Sequence, residues 1–144
     1  MEPKDFIRKI GALGIDELSK TKIKNQKDAK TTLKKLRMMQ KRVKQIKKEL
    51  ILEIKKIRAV YRQKSETAGV RLAAFNRLLG NKGAARSARA SARRRVVRER
   101  DRVITEYENL KLKIDNMIIE MDRLKMQLEE YIQKERTKAS EISE

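Results

Sequence analysis

Cysteine, histidine and tryptophan are all missing from this chain, and proline occurs once, at Pro3. Without Cys there is neither a disulfide nor a thiolate ligand. Without His, zinc fingers, haem ligation and the Ser–His–Asp or Cys–His arrangements of nucleophilic catalysis are excluded by inventory. Aromatics amount to 3% of residues, namely Phe6, Tyr61, Phe75, Tyr107 and Tyr131. That is few for a compact core, and few for the base stacking used by single-strand binders and RNA-recognition folds. No apolar run approaches the roughly 18 residues of a membrane span. The opening Met1-Glu2-Pro3-Lys4-Asp5 has neither the charge pattern nor the apolar stretch of a signal peptide. An intracellular protein, assigned to the cytoplasm, is expected.

Catalytic and cofactor motifs are equally scarce. There is no Gly-x-x-x-x-Gly-Lys-Ser/Thr phosphate loop, and Gly80-Asn81-Lys82-Gly83 follows no strand, so it reads as a turn. Glu106, Glu108, Asp115, Glu120 and Asp122 stand at helical spacing among lysines and read as paired or solvated flank residues. Met39, Met117 and Met121 read as core fillers. No enzymatic activity, no metal and no cofactor are expected.

What the chain does contain is charge and helix formers. Charged residues make up 41% of its 144 positions and the formal net charge is +19, far above the magnitude of about 2–8 that solubility asks of a small domain. The charge is unevenly placed. Residues 1–20 are balanced at four basic and four acidic. Residues 21–64 carry seventeen basic and three acidic, 65–102 eleven and three, and 103–144 seven and ten. Lys dominates 22–56, whereas ten of the eleven cations in 65–102 are Arg. A field of this sign attracts polyanions.

Two apolar seams of helical period organise the chain. The first comprises Leu33, Leu36, Met39, Val43, Ile46, Leu50, Ile54, Ile57 and Tyr61, with two successive steps of four at Ile46, Leu50 and Ile54 that read as a local stutter. The second comprises Val103, Tyr107, Leu110, Ile114, Met117, Met121, Leu124, Leu128 and Tyr131, a strict alternation of four and three over four heptads. Ile104, Ile118 and Ile132 widen it on one flank, as when a seam faces more than one helix. Each seam would run about 42 Å along a helix. Folding the chain back near residue 82 places Leu33 against Tyr131, Leu50 against Ile114 and Tyr61 against Val103. It also brings Lys34, Lys35 and Lys41 towards Glu120, Asp122, Glu129 and Glu130. A parallel self-pairing would press the Lys-rich helix against its own copy, which like charges oppose. The expected fold is therefore all-α: an elongated antiparallel coiled-coil helical hairpin, with a homodimer through the wider flank as a further option.

The expected segments are a short amphipathic piece at 1–20, a Lys-rich helix at 21–64, and a short helix with a glycine turn at 65–83. An Arg-rich start continuing into the heptad helix follows at 84–140, then a tail at 141–144. The first piece (Phe6, Ile7, Ile10, Leu13, Ile15, Leu18) is broken at Gly11 and Gly14 and is expected to dock on the helical arms or on a partner. In the turn segment, Thr67 is placed to cap and Gly80 to end a helix bearing Val70, Leu72, Phe75, Leu78 and Leu79.

The candidate site lies in 82–98. Running the heptad back from Val103 puts Arg100, Val96, Arg93, Arg89 and Arg86 on the seam. Guanidiniums cannot be buried there unpaired, because desolvating each costs several kcal/mol. The apolar seam is thus expected to stop near Val96, with Arg86, Arg89 and Arg93 facing outward between small Ala and Ser residues. Guanidinium forks match phosphate oxygens. With Lys82, Arg94, Arg95 and Arg98 alongside, roughly six to eight phosphates could be neutralised. Nucleic acid, RNA or DNA, is the expected partner, bound through backbone charge with little sequence preference. The alternative is a helical adaptor or stalk whose basic face docks an acidic protein. Attachment to an anionic membrane comes third, since the Lys-rich helix lacks a bulky apolar face.

Asn81-Lys82-Gly83-Ala84-Ala85 followed by Arg89 resembles the basic-region core of the leucine-zipper transcription factors. The zipper positions that this phase implies fall on Glu99, Glu106 and Lys113, which are not seam residues, and Gly83 would weaken the continuous helix which that family lays in the major groove. The resemblance is set aside.

Overall fold

The computed structural model describes residues 1–143, with Ser19 placed by its backbone alone. Among these residues there are five helices and no strand: α1 (Pro3–Gly11), α2 (Ile15–Ser19), α3 (Gln26–Thr67), α4 (Val70–Leu78) and α5 (Lys82–Ser143). The fold is an all-α helical hairpin in which α3 packs antiparallel to α5. Residues 141–143, expected as a tail, are the last residues of α5, and Glu144 lies outside the described residues. The chain divides into two compact units, Met1–Leu50 with Leu110–Glu144, and Ile51–Asn109.

In the first unit, Leu36, Val43, Leu50 and Ile114 are fully buried, and Leu33, Ile46, Leu110, Met121 and Leu128 nearly so. Met39, Met117, Leu124 and Tyr131 are half-buried. Gln40 is also buried, and its amide explains how. Gln40 Nε2 donates to Asp122 Oδ1 at 2.6 Å and its Oε1 accepts from Lys125 Nζ at 2.9 Å. Lys47 pairs with Asp115 nearby. With Gln40 and Lys47 counted as seam positions, Leu33, Leu36, Gln40, Val43, Lys47 and Leu50 advance by alternating three and four. Ile46 stays in the core at 7% exposure beside Lys47, whose side chain is 31% exposed, so the packed face broadens where the two steps of four occur, and Gln40 is a buried polar position that an apolar-only pattern skips. Arg37 pairs with Glu129 at 3.3 Å. Arg37 and Lys47 make ion pairs here, and Lys34 lines a surface groove together with Arg37 and Glu129.

The N-terminal helices dock within this same unit. Pro3 sits in the first turn of α1, and the Asp5 carboxylate accepts the Glu2 backbone N–H at 2.9 Å, so an orphan donor at the helix start is satisfied. Phe6 is 1% exposed and Lys9 Nζ reaches Glu49 Oε2 at 2.8 Å. Ile15 and Leu18 of α2 line a groove with Leu36, Met117, Met121 and Leu124. Phe6 and Leu18 of the amphipathic segment are thus buried on the hairpin, while Ile7 is 56% exposed.

In the second unit, Ile54, Tyr61, Ile104 and Tyr107 are buried while Ile57 and Val103 are half-buried. Arg58 pairs with Glu108 at 3.1 Å. Residue numbers in the ion-paired and hydrogen-bonded couples across the hairpin add to 162–166 in the first unit and 160–166 in the second, close to the 164 implied by pairing Leu33 with Tyr131. On the wider flank, Ile104 and Ile132 are buried and Ile118 is half-buried.

Truncating Leu50 to Ala should lower unfolding stability by about 2–5 kcal/mol, as for other fully buried leucines. Gln40→Leu should be neutral or mildly stabilising, because Asp122 and Lys125 keep access to water once the buried amide is gone. Urea unfolding of the two variants checks both: a Leu50→Ala loss below about 1 kcal/mol would contradict this core.

Candidate nucleic-acid interface

The arginine-rich end of α5 belongs to the second unit, which carries sixteen basic and six acidic residues. Its helix start is defined by Asn81, whose Oδ1 accepts the Ala84 backbone N–H at 3.0 Å, an N-cap bond that satisfies one of the first orphan donors. Just before it, Gly80 adopts φ +77°. There the Asn81 N–H returns to the Asn76 carbonyl at 2.9 Å and the Gly80 N–H to that of Arg77 at 3.0 Å. This paired closure is the Schellman motif, which requires a left-handed residue and so favours glycine. The turn is confined to 79–81, and Gly83 is helical.

The packed face of α5 does not stop near Val96. It continues through the small residues Ala92, Ala88 and Ala85, with Ala85 only 1% exposed. Gly69, the N-cap of α4 at φ +69°, closes against this face. A Cβ there would lie 3.0 Å from Ala92 Cβ and 3.2 Å from both the Ala88 carbonyl oxygen and Arg89 Cα. The contact surface thus takes in Ala85, Ala88, Ala92 and the backbone of Arg89, and leaves Arg86 and Arg93 exposed. Thr67 ends α3 and returns its hydroxyl to Gln63 and Lys64 carbonyls; Gly69, not Thr67, stands before α4.

This shift re-sorts the arginines. Arg89, expected outward, is half-buried beside Gly69, and its Nε is buried without a hydrogen-bond partner among the described residues. Arg86, Arg93, Arg94, Arg95 and Arg98 are exposed, as is Lys82 in the first turn. Arg94 and Arg98, four residues apart, share a face. Their Nε groups bond to the carbonyls of Ala90 and Arg94 on their own helix at 3.3 and 3.4 Å, leaving the terminal nitrogens outward. Among the described residues, none of these five arginines forms an ion pair with a carboxylate. Arg100, by contrast, is engaged by Asp101 at 2.9 Å. Arg102 continues the four-residue step from Arg98 and is also exposed. The repeat Arg94, Arg98, Arg102 was legible in the sequence but masked by following the heptad instead.

Tyr61 borders the cluster. Its hydroxyl donates to Glu99 Oε1 at 3.2 Å, and Lys64 Nζ lies 4.8 Å from its ring centroid. Burial raises the phenol above its ordinary pKa of 10.0, the Glu99 hydrogen bond and negative charge raise it further, and Arg102 opposes them. Glu99 is thereby drawn to Tyr61.

Among the described residues no three acidic side chains group so as to hold a metal ion, and no helix is long and apolar enough to cross a membrane. Compared with family models, curated proteins and solved structures, the chain matches none.

Gly69→Ala should destabilise the protein by about 1–3 kcal/mol, from the left-handed backbone and the crowding against Ala88 and Ala92, as read by thermal unfolding. Because the folded-state pKa of Tyr61 is raised, its contribution is complete below about pH 10 and fades as pH climbs towards the folded value, since the unfolded chain ionises first. The wild type should therefore lose more stability than Tyr61→Phe on going above pH 10; parallel losses would contradict the buried, Glu99-bonded phenol.

Proposed function

We propose that this chain is a non-catalytic nucleic-acid binder. It takes up RNA or DNA in the cytoplasm through the phosphate backbone with little sequence preference. The observation that supports it is the set of exposed guanidiniums on α5, Arg86, Arg93, Arg94, Arg95 and Arg98, which have no carboxylate partner among the described residues. Most arginines of a folded chain can find local carboxylates, and here residues 67–98 contain nine cations and no Asp or Glu. An unpaired guanidinium offers two parallel donors to a phosphate. Each contact releases condensed counterions, which makes affinity steeply salt-dependent. The Ala and Ser residues between the arginines place no bulk in the way of a nucleic-acid backbone.

A labelled DNA duplex and an RNA hairpin, titrated at several salt concentrations, test the reading. Replacing those five arginines by Ala should flatten the log–log salt slope by about 3–4. Replacing five exposed lysines of α3 (Lys30, Lys34, Lys41, Lys44, Lys48) should change it by less than about 1. Equal slopes for the two variants would remove the arginine cluster as the phosphate site. Absence of binding to either nucleic acid would leave the same cations to an acidic protein partner.

A further inference from the structure

Helix α4 is turned inside out. Its small Ala73 is 1% exposed and Asn76 is half-buried, whereas Leu72, Phe75, Leu78 and Leu79 are 55%, 58%, 87% and 67% exposed. Leu72, Phe75 and Leu79 follow the i, i+3, i+7 spacing of one helix face, and Leu78 adjoins it. Large apolar side chains in a contiguous exposed group mark an interaction surface. Phosphate chemistry does not account for them.

We propose that this face of α4 docks on an anionic lipid bilayer, with Leu72, Phe75, Leu78 and Leu79 entering the headgroup–acyl boundary and Arg71 and Arg77 reaching lipid phosphates. The charge around the face selects this occupant. Arg71 and Arg77 stand on α4 itself and are exposed, Lys82 follows the turn, and no carboxylate occurs anywhere in 67–98. Protein interfaces commonly set charges of both signs against each other for specificity; a surface of one sign suits a uniform polyanion. A nucleic-acid duplex is such a polyanion, yet seating four bulky apolar side chains in it requires bases to be unstacked. A second copy would set Arg71 and Arg77 against their own images. It would also have only nine helical residues with which to build an interface that normally needs some 800 Å² per partner. A bilayer meets both demands, acyl chains for the leucines and phosphates for the guanidiniums, whose long stems allow snorkelling. α4 therefore supplies the bulky apolar face that the Lys-rich α3 lacks. α4 meets α5 at Ala88 and Ala92, on a different side from the face of Arg94 and Arg98, so the lipid proposal stands on residues separate from the proposed phosphate site.

The chain has no Trp, so Phe75→Trp provides a single reporter in the full-length protein. Mixed with vesicles of phosphatidylcholine containing about one third phosphatidylglycerol, its emission should move to shorter wavelength; with phosphatidylcholine alone it should not. Adding Leu72→Gln, Leu78→Gln and Leu79→Gln, all at exposed positions, should weaken vesicle binding about tenfold or more. Helical content by circular dichroism and DNA affinity in the salt titration should stay as they were. No shift with the anionic vesicles, or the same affinity after the three Gln substitutions, would overturn the proposal. So would a blue shift that grows with protein concentration without vesicles and accompanies a doubled mass in light scattering, which would assign the face to a second copy. Loss of DNA binding in the five-arginine variant with vesicle binding retained would keep the two surfaces apart; loss of vesicle binding in that variant alone would place the lipid contact on α5 and overturn the assignment to α4.

Discussion

Closing α3 against α5 is limited by electrostatics before packing. Residues 21–64 bring a net +14, and the one stretch with an excess of carboxylates is 103–144. A partner of opposite sign is thus already present in the chain, and the hairpin brings the two together. Exposed ion pairs such as Arg37–Glu129 and Arg58–Glu108 are each worth only about 0–1 kcal/mol. Burial of Leu36, Val43, Leu50 and Ile114 supplies the larger stabilisation. The charges decide which helix the seam meets and in what register, which is a matter of specificity.

Gln40 refines that register. A buried amide that bonds Asp122 and Lys125 on the facing helix has those bonds in one alignment only. Sliding the helices by a turn would leave it buried and unsatisfied, at a cost of about 1–3 kcal/mol. Single polar residues at seam positions are known to fix coiled-coil register in this manner.

The start of α5 obeys a different rule. Alanine at 88 and 92 allows so close an approach of α5 to Gly69 that a Cβ there would be crowded at 3.0–3.2 Å as well as strained at φ +69°. That packing uses up the small side chains and leaves large ones outside: Arg86, Arg93, Arg94, Arg95 and Arg98 of α5 and the leucines of α4. Both surfaces proposed to bind ligands therefore arise from one structural choice, a tight alanine contact where an ordinary leucine seam would have buried bulk.

Periodicity and charge in the sequence determined the all-α class, the two seams, the turn near 80 and the antiparallel pairing, because each rests on local spacing or on the sign of whole segments. Of the second seam, Tyr107, Leu110, Ile114, Met121 and Leu128 are buried and Val103, Met117, Leu124 and Tyr131 half-buried, because apolar side chains at heptad spacing have few alternatives to the facing helix. Other features were decided only when the helices came together. Gln40 joined the seam because facing residues satisfied its amide, and polar atoms carry no mark of their future partners. Arg89 is half-buried because Gly69 closes against α5 beside it, at Ala88 and Ala92, and that approach is a matter of tertiary packing. The exposure of Leu72, Phe75, Leu78 and Leu79 was hidden for the same reason: amphipathic spacing shows that a helix has two faces, and only packing decides which one is covered.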